Sequence, residues 1–245
     1  MTAGTFFISD LHLDESRPEH VDALARFLDE KAAPAQALFV LGDLFEAWIG
    51  DDDDSDFNRQ VIALFRRWSD SHDGALYFMH GNRDFVLGEQ FAAACGGELL
   101  DEKVVVDLYG RPTLLMHGDS LCTRDEAYMA FRAQARDPQW QRAMLAKPLA
   151  ERRLIAQGMR MKSAADNANK AANIMDVTPE EVVREMASAG VSDLIHGHTH
   201  RPAVHDVPLA KDTGRRWVLG DWGKKVWYLV ADQSGNRLIN YPVAE

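Results

Sequence analysis

Five short polar blocks in this chain carry side chains that bind divalent metals. In chain order, these side chains are Asp10, His12, Asp43, Asn82, His117, His198 and His200. Carboxylate, imidazole and amide donors together suit two hard to borderline divalent ions. A pair of such ions acidifies a shared water and neutralises phosphate charge, which is the chemistry of phosphoester cleavage. The blocks therefore predict a two-metal phosphoesterase.

Each block follows an apolar run that predicts a β-strand. The runs cover residues 5–8, 37–41, 75–79, 113–116 and 193–195. In an extended chain Asp10 and His12 share one face, as do His198 and His200, so both members of each pair can reach one metal. Ligands placed repeatedly at strand ends predict one composite site at one edge of a sheet.

The elements that position the blocks alternate between strand and helix. Helical periodicity covers residues 18–31, 55–69, 84–95 and 179–189, a hairpin is predicted around 109–112, and closing strands cover 217–219 and 226–230. This rhythm predicts an α/β sandwich of two mixed sheets flanked by helices. Between residues 123 and 170 helical patterns follow one another without strands. We expect a helical cap there, inserted into a core formed by 1–122 and 171–245, above the metal site.

Composition excludes several classes of protein. The chain has 245 residues, is 46% hydrophobic and carries a net charge of −11, which argues against general nucleic-acid binding. Cys95 and Cys122 are the two cysteines, so we expect no disulfide framework and a reducing cytoplasm. No apolar run approaches the roughly 18 to 20 residues that span a bilayer. The N-terminus lacks the pattern of a signal peptide.

The predicted cap differs in charge from the rest of the chain. Residues 124–170 hold ten basic and five acidic residues, mixed with methionine and aromatic side chains. Such a segment in an acidic protein indicates an anionic partner, and its apolar content suits an anionic lipid. The alternative is the ordinary core of a small helical unit. Ser163, Asn167 and Lys170 share one helical face, which predicts either a stripe facing phosphates or a solvated face.

The order of the five blocks resembles the calcineurin-like metallophosphoesterase superfamily, whose fold is a four-layer sandwich. The resemblance covers the whole chain and implies two metals. The first would be held by Asp10, His12, Asp43 and His200. The second would be held by Asp43, Asn82, His117 and His198. Asp43 would therefore bridge the pair.

Arg83 departs from that superfamily. Many members carry a histidine after the asparagine, and it protonates the leaving alkoxide. Arginine stays charged near neutral pH but can grip a phosphate with its planar fork. A phosphate leaving group has a second pKa of about 6 and departs without a proton. Arg83 therefore favours cleavage of a pyrophosphate bond. The alternative is a salt bridge from Arg83 to Asp84 or Asp119.

Longer stretches narrow the resemblance. Residues 41–52, 80–85, 173–177 and 196–205 resemble the UDP-2,3-diacylglucosamine diphosphatases of lipid A biosynthesis. This implies hydrolysis of UDP-2,3-diacylglucosamine to UMP and 2,3-diacylglucosamine 1-phosphate (lipid X) with two manganese ions per chain. It also implies a peripheral position on the cytoplasmic face of the cell inner membrane. We expect no nucleic acid and no obligate protein partner.

The same resemblance implies roles for individual residues. Catalytic roles fall on Asp43, Asn82, Arg83 and His117. Substrate contacts fall on Asn82, Arg83, Asp125, Ser163, Asn167, Lys170 and His198, with Tyr128, Phe131 and Arg160 as weaker candidates. The mechanistic hypothesis is that a metal-activated hydroxide attacks the uridine-side phosphorus.

Two other functions stay open from the sequence: a different phosphoesterase of the superfamily, or a scaffold that has lost catalysis. The acidic run at residues 51–54 lacks the spacing of a calcium loop, and a solvated loop is the prediction there.

Overall fold

The computed structural model describes residues 4–168, 174–210 and 212–243. The strands are β1 (Gly4–Ile8), β2 (Ala35–Leu41), β3 (Ala75–Met79), β4 (Glu98–Leu99), β5 (Lys103–Asp107), β6 (Pro112–Met116), β7 (Asp193–His196), β8 (Ala203–Pro208), β9 (Thr213–Val218), β10 (Lys225–Asp232) and β11 (Gly235–Pro242). The helices are α1 (Pro18–Arg26), α2 (Asp56–Ser71), α3 (Glu89–Ala94), α4 (Glu126–Ala135), α5 (Pro138–Leu145), α6 (Leu149–Ala168) and α7 (Pro179–Ala189).

The strands form two mixed sheets, as the sequence predicts. The first has the order β11-β10-β1-β2-β3-β4, and the second has the order β5-β6-β7-β9-β8. Strands β1 to β4 run parallel, whereas β10 and β11 are antiparallel to their neighbours. In the second sheet β6, β7 and β9 are parallel, and the edge strands β5 and β8 are antiparallel.

Three apolar layers hold the sandwich together. Strand β1 is buried on both faces, so its alternate side chains enter two different layers. Phe6 and Ile8 pack among the side chains of α1 to α3, whereas Phe7 lies between the sheets and stacks on Phe39 with ring centroids 5.1 Å apart. A third layer joins the second sheet to α7 through residues such as Met186. The arrangement confirms the four-layer α/β sandwich.

The predicted helix over 84–95 is wrong at its start. Helix α3 begins only at Glu89. The buried Asp84 carboxylate accepts hydrogen bonds from the amides of Gly81 (2.7 Å) and Leu44 (2.8 Å), which holds this stretch in an irregular loop. The Asp51 carboxylate caps the start of helix α3. It accepts hydrogen bonds from the Gly88 and Phe91 amides, each at 2.9 Å.

The other helix boundaries follow the sequence more closely. Helix α2 begins after Ser55, whose side chain accepts from the Asn58 amide, a common N-cap. Helix α1 continues as a π-helical turn over Phe27–Lys31. Helices α4 to α6 come from the predicted insertion, and α5 begins at Pro138, where a missing N–H costs nothing. Among the described residues, no helix is both long and apolar enough to cross a membrane.

Candidate metal centre

The five blocks meet where the parallel strands end. The blocks with Asp10 and His12, with Asp43, and with Asn82 follow β1, β2 and β3 in one sheet. The blocks with His117 and with His198 and His200 follow β6 and β7 in the other. Because parallel strands place their carboxyl ends at one edge, the loops of each sheet converge. Backbone hydrogen bonds then link the loops directly. The Asp10 amide donates to the Gly42 carbonyl (3.1 Å), and the Gly197 amide donates to the His117 carbonyl (2.9 Å).

The backbone of the ligand residues is unusual. Positive φ angles occur at Asp10 (55°), His12 (48°), Asp43 (51°), His198 (66°) and His200 (55°). Left-handed backbone costs a non-glycine residue about 1–2 kcal/mol, so five such residues persist only where the surrounding fold imposes them. Tyr109 is the remaining non-glycine example among the described residues. Unfavourable backbone is therefore concentrated at the predicted ligands.

Two glycines allow the loops to approach this closely. A Cβ on Gly81 would lie 2.0 Å from Asp43 Oδ1, and a Cβ on Gly197 would lie 2.1 Å from Asp10 Oδ2. Any side chain at these positions would displace a ligand carboxylate. The glycines before Asn82 and His198 are thus required by close packing around the centre.

The first group of donors consists of Asp10, His12 and His200. The Nε2 atoms of His12 and His200 are 3.1 Å apart, and Asp10 Oδ1 lies 3.4 Å from His200 Nε2 and 4.0 Å from His12 Nε2. These donor atoms all lie within 4.8 Å of one another, close enough for the group to hold one divalent ion.

The second group of donors consists of Asn82, His117 and His198. Asn82 Oδ1 lies 3.1 Å from His117 Nε2 and 2.8 Å from His198 Nδ1. Asp43 lies between the two groups, with Oδ2 3.8 Å from His12 Nε2 and Oδ1 3.6 Å from His117 Nε2. Each oxygen of this carboxylate thus faces a different group, which is the arrangement of a bridging ligand.

Neighbouring groups orient two of the imidazoles. His117 Nδ1 lies 2.9 Å from the Leu41 carbonyl, an acceptor that selects the tautomer with a free lone pair on Nε2. His12 Nδ1 lies 3.1 Å from Glu46 Oε2 without a hydrogen bond, so this carboxylate favours the same tautomer through its charge. Both rings therefore present Nε2 to the centre, as metal ligands require.

The ionisable groups of the cluster shift one another's pKa values. Against the effect of burial, the hydrogen bond and charge of Asp10 raise the pKa of His200 to about 9. Asp10 is fully buried, which opposes its charge, yet the hydrogen bond and charge of His200 hold the pKa of Asp10 well below its usual range. Burial and the neighbouring His117 lower the pKa of His198 to about 4. His198 is therefore neutral at physiological pH and able to offer a lone pair. Burial and the charge of Asp43 raise the pKa of Asp84 to about 6.

Further residues support the ligands without joining them. Asp119 accepts hydrogen bonds from Tyr128 Oη (2.7 Å) and Arg132 Nε (2.8 Å), which fixes helix α4 beside the centre. The Trp222 amide donates to the Asp10 carbonyl (3.0 Å), a contact that no sequence pattern predicts. Asp84 binds backbone amides, not a histidine or arginine.

A cavity of about 520 Å³ opens above the donors. His12, Asp43, Asn82 and His198 line its floor. Its walls come from the core and the cap, and the apolar ones are Ala47, Trp48, Phe85, Val86, Ala127, Phe131, Met144, Ala156, Met159 and Met175. Arg83, Arg160, Lys162 and Ser163 add polar groups to the lining. One cavity therefore has both predicted metal ligands and apolar side chains in its lining.

The structure brings most predicted substrate residues to this cavity. Asn82, Arg83, Asp125, Ser163 and His198 line it, as do Tyr128, Phe131 and Arg160. Asp125 also begins helix α4, where its side chain accepts from the Tyr128 amide. Asn167 lies on α6, but its side chain is outside what the structure describes, and Lys170 is outside the described residues altogether.

Arg83 contacts neither of the acids considered for it. Its guanidinium lies 4.0 Å from Glu46 Oε1, and its Nε is buried without a hydrogen-bond partner. The Arg83 backbone amide donates to Asp43 Oδ1 (2.8 Å). Arg83 thus adjoins the centre through its main chain and points its charge into the cavity.

The acidic loop, residues 51–54, has a structural role that the sequence did not suggest. Asp51 caps α3, and Asp52 receives the guanidinium of Arg152, a cap residue only 2% exposed. Arg152 Nη1 also donates to the Ile49 carbonyl at 2.6 Å. Arg153 lies 2.7 Å from Asp53. The loop is partly solvated, as predicted, with the side chains of Asp52 and Asp54 61% and 92% exposed, but it also docks helix α6.

Comparison with known proteins agrees with the geometry. The model of the calcineurin-like phosphoesterase family matches residues 5–202. The chain is 52% identical to the UDP-2,3-diacylglucosamine hydrolase of Marinobacter nauticus, covering 98% of this chain and 96% of that protein. It is 51% identical to the enzyme of that name from Cellvibrio japonicus, covering 98% and 100%. The chain therefore belongs to the calcineurin-like phosphoesterase family and, within it, to the group of UDP-2,3-diacylglucosamine hydrolases.

Proposed function

We propose that this protein hydrolyses the pyrophosphate bond of UDP-2,3-diacylglucosamine to UMP and 2,3-diacylglucosamine 1-phosphate. The observation that carries the proposal is the single cavity that joins metal-ligating residues to an apolar wall. A substrate that carries a diphosphate and acyl chains on one sugar matches both the polar and the apolar residues of this lining. The names of the relatives from Marinobacter nauticus and Cellvibrio japonicus support the same substrate.

Residues at the cavity floor are proposed to bind the diphosphate of the substrate. Asn82, Arg83 and His198 lie where a diphosphate above the centre would meet them. Arg83 holds the phosphate through charge-assisted hydrogen bonds and supplies no proton. The sugar phosphate departs as an anion, because its second pKa of about 6 makes protonation unnecessary. From the cap, Asp125, Ser163, Asn167 and Lys170 are proposed to contact the sugar and its phosphate.

The donor set is proposed to hold two manganese ions. Asp10, His12, Asp43 and His200 would hold one, and Asp43, Asn82, His117 and His198 would hold the other. When bound, such a pair acidifies water and neutralises charge on phosphate oxygens. The chain itself places Asp43 between the two groups and orients the imidazoles of His12 and His117 toward them.

The apolar residues of the cavity lining are proposed to accommodate acyl chains. Trp48 and Phe85 come from the core, and Phe131, Met144 and Met159 come from the cap. Methionine side chains are flexible, so they can fill the irregular gaps that acyl chains leave. We propose that residues 123–170 form this lipid-binding cap on a core of residues 1–122 and 171–245.

The protein is proposed to work as a peripheral protein on the inner face of the inner membrane. On α6, Leu154 is 68% exposed and Met161 is 75% exposed. Arg153 and the exposed Lys162 flank them. Apolar side chains beside basic ones are what an anionic lipid surface attracts.

Two measurements test the proposed reaction. Turnover of UDP-2,3-diacylglucosamine should exceed turnover of a cyclic nucleotide or a phosphopeptide, and the reverse order would support a different phosphoesterase. Hydrolysis in ¹⁸O-labelled water should place the label in UMP. Label in the lipid phosphate would show attack at the other phosphorus and overturn the proposed direction.

A further inference from the structure

Glu46 lies between the metal centre and the cap. It follows the second polar block, its side chain is 16% exposed, and it lines the cavity. Its position is fixed by the main chain, because the Glu46 amide donates to the Leu13 carbonyl (3.0 Å) in a short parallel bridge between Leu13 and Phe45. The carboxylate is therefore held at a defined place beside the first polar block.

The two oxygens of Glu46 face different partners. Oε2 lies 3.1 Å from His12 Nδ1 and 3.8 Å from an Arg17 nitrogen. Oε1 lies 3.1 Å from Arg160 Nε and 4.0 Å from Arg83 Nη1. One oxygen thus contacts a metal-ligating imidazole, and the other contacts two arginines at the cavity wall. Arg83 belongs to the core, whereas Arg160 belongs to cap helix α6.

We propose that Glu46 is a positioning residue that orients His12 toward the metal and holds Arg83 and Arg160 together for an incoming phosphate. The inference rests on the proposed function, since it assumes an anionic substrate. A carboxylate on the far nitrogen of a ligating imidazole fixes its tautomer and ring orientation. Arginines that are already gathered lose less freedom when a phosphate arrives, because part of their ordering has taken place beforehand.

The phosphate would bind guanidinium N–H groups that Oε1 leaves free. Each guanidinium has five N–H donors, so Arg83 and Arg160 can face Glu46 Oε1 and phosphate oxygens at the same time. Because Arg160 comes from the cap and Arg83 from the core, the same carboxylate also links the two walls of the cavity. Removing it should therefore change both metal binding and substrate binding, through separate oxygens.

Three variants separate these effects. Glu46→Gln keeps the shape but leaves only one acceptor oxygen, and Glu46→Ala removes both. Glu185→Gln is the control, since Glu185 is also 16% exposed and pairs with Lys103 at 2.7 Å, outside the cavity lining. Manganese is titrated calorimetrically into the metal-free proteins without substrate. KM and kcat for UDP-2,3-diacylglucosamine are then measured at saturating manganese.

The inference predicts a graded result. Glu46→Gln should hold its oxygen toward the His12 N–H, so manganese affinity should fall less than about 3-fold while KM rises roughly 10-fold. Glu46→Ala should lose about 10- to 100-fold in manganese affinity and show the same rise in KM. Glu185→Gln should match the unchanged protein in both measurements.

Other results would overturn it. Unchanged manganese affinity and KM in Glu46→Ala would show that the carboxylate positions nothing. Equal changes in Glu185→Gln would assign the effects to lost surface charge. Failure of the unchanged protein to hydrolyse the UDP-lipid would instead refute the proposed function, and the manganese titrations would still test the role of Glu46 toward His12.

Discussion

The metal centre and the cap are built by different means. At the centre several predicted ligands are buried and set by backbone geometry: Asp10 is 0%, Asp43 2% and His117 2% exposed, whereas the side chain of His200 is 40% exposed. The cap is attached mainly through side chains, such as Arg152 on the acidic loop and Arg132 on Asp119. It also leaves Leu154 and Met161 largely exposed.

This contrast means that the residues for the reaction and the residues for substrate selection lie in different parts of the molecule. A site whose ligands depend on positive φ angles and on contacts with glycine tolerates little change, because each loop constrains the others. A cap fastened by side-chain contacts, which include ion pairs and the packing of Trp140 against the core, can change its lining without disturbing the ligands. The reaction is therefore fixed in the core, and selectivity for a lipid can be set by the helices above it.

The sharpest test of the core is Asp43→Ala. It removes the carboxylate that faces both donor groups, so we expect activity to fall by more than about 10³-fold, as loss of several kcal/mol of metal-based stabilisation would cause. Steady-state turnover and manganese titration measure the effect. Near-normal turnover in a folded variant would refute the assigned centre.

Arg83 tests the contact between centre and substrate. Arg83→Lys retains the charge but loses the planar fork, and hydrogen bonds to charged groups contribute about 1.5–3 kcal/mol. We expect kcat/KM for the UDP-lipid to fall about 10- to 100-fold while manganese affinity stays unchanged. A variant as active as the original would show that Arg83 does not hold the phosphate.

Arg152 tests how the cap is held. Arg152→Met leaves the Ile49 carbonyl and Asp52 without their partner, so we expect KM to rise about 5- to 10-fold, in line with roughly 1–1.4 kcal/mol of lost hydrogen bonding. Manganese affinity should not change, because the centre does not depend on the cap. Kinetics and calorimetry measure both. A parallel loss of manganese binding would contradict the separation between core and cap.

The neighbouring arginine supplies the matched control for that test. Arg153 pairs with Asp53 but is 51% exposed, and such surface pairs contribute about 0–1 kcal/mol. Arg153→Met should therefore change KM less than about 2-fold. An effect as large as that of Arg152→Met would mean that net charge, rather than the buried docking contact, holds the cap.

The smallest kinetic effect is expected at the exposed face of α6. Leu154→Glu combined with Met161→Glu should weaken sedimentation with anionic vesicles, because it replaces apolar contact with charge repulsion. Turnover of detergent-dispersed substrate should change less than about 2-fold, since neither residue lines the cavity. Unchanged vesicle binding would remove the support for membrane contact through this face.

Prediction from the sequence succeeded where a pattern is local. The strand at Ala75–Met79 and the helix at Pro179–Ala189 have the predicted bounds, because period and flanking residues define them. It failed for the start of α3, since Asp84 uses its carboxylate on amides from two other segments. The short strand β4 and the edge strands β8 and β11 carry weak patterns, and pairing with their neighbours defines them.

The types of the residues specify the chemistry that is available. They set which metals can bind and whether Arg83 can donate a proton, and neither property depends on the fold. How those groups cooperate depends on the tertiary structure. Glu46 lies 114 positions from Arg160, and Asp52 lies 100 positions from Arg152, so no local pattern connects them. Their contacts exist because packing of the sandwich brings distant loops together and places the cap over the ends of the strands.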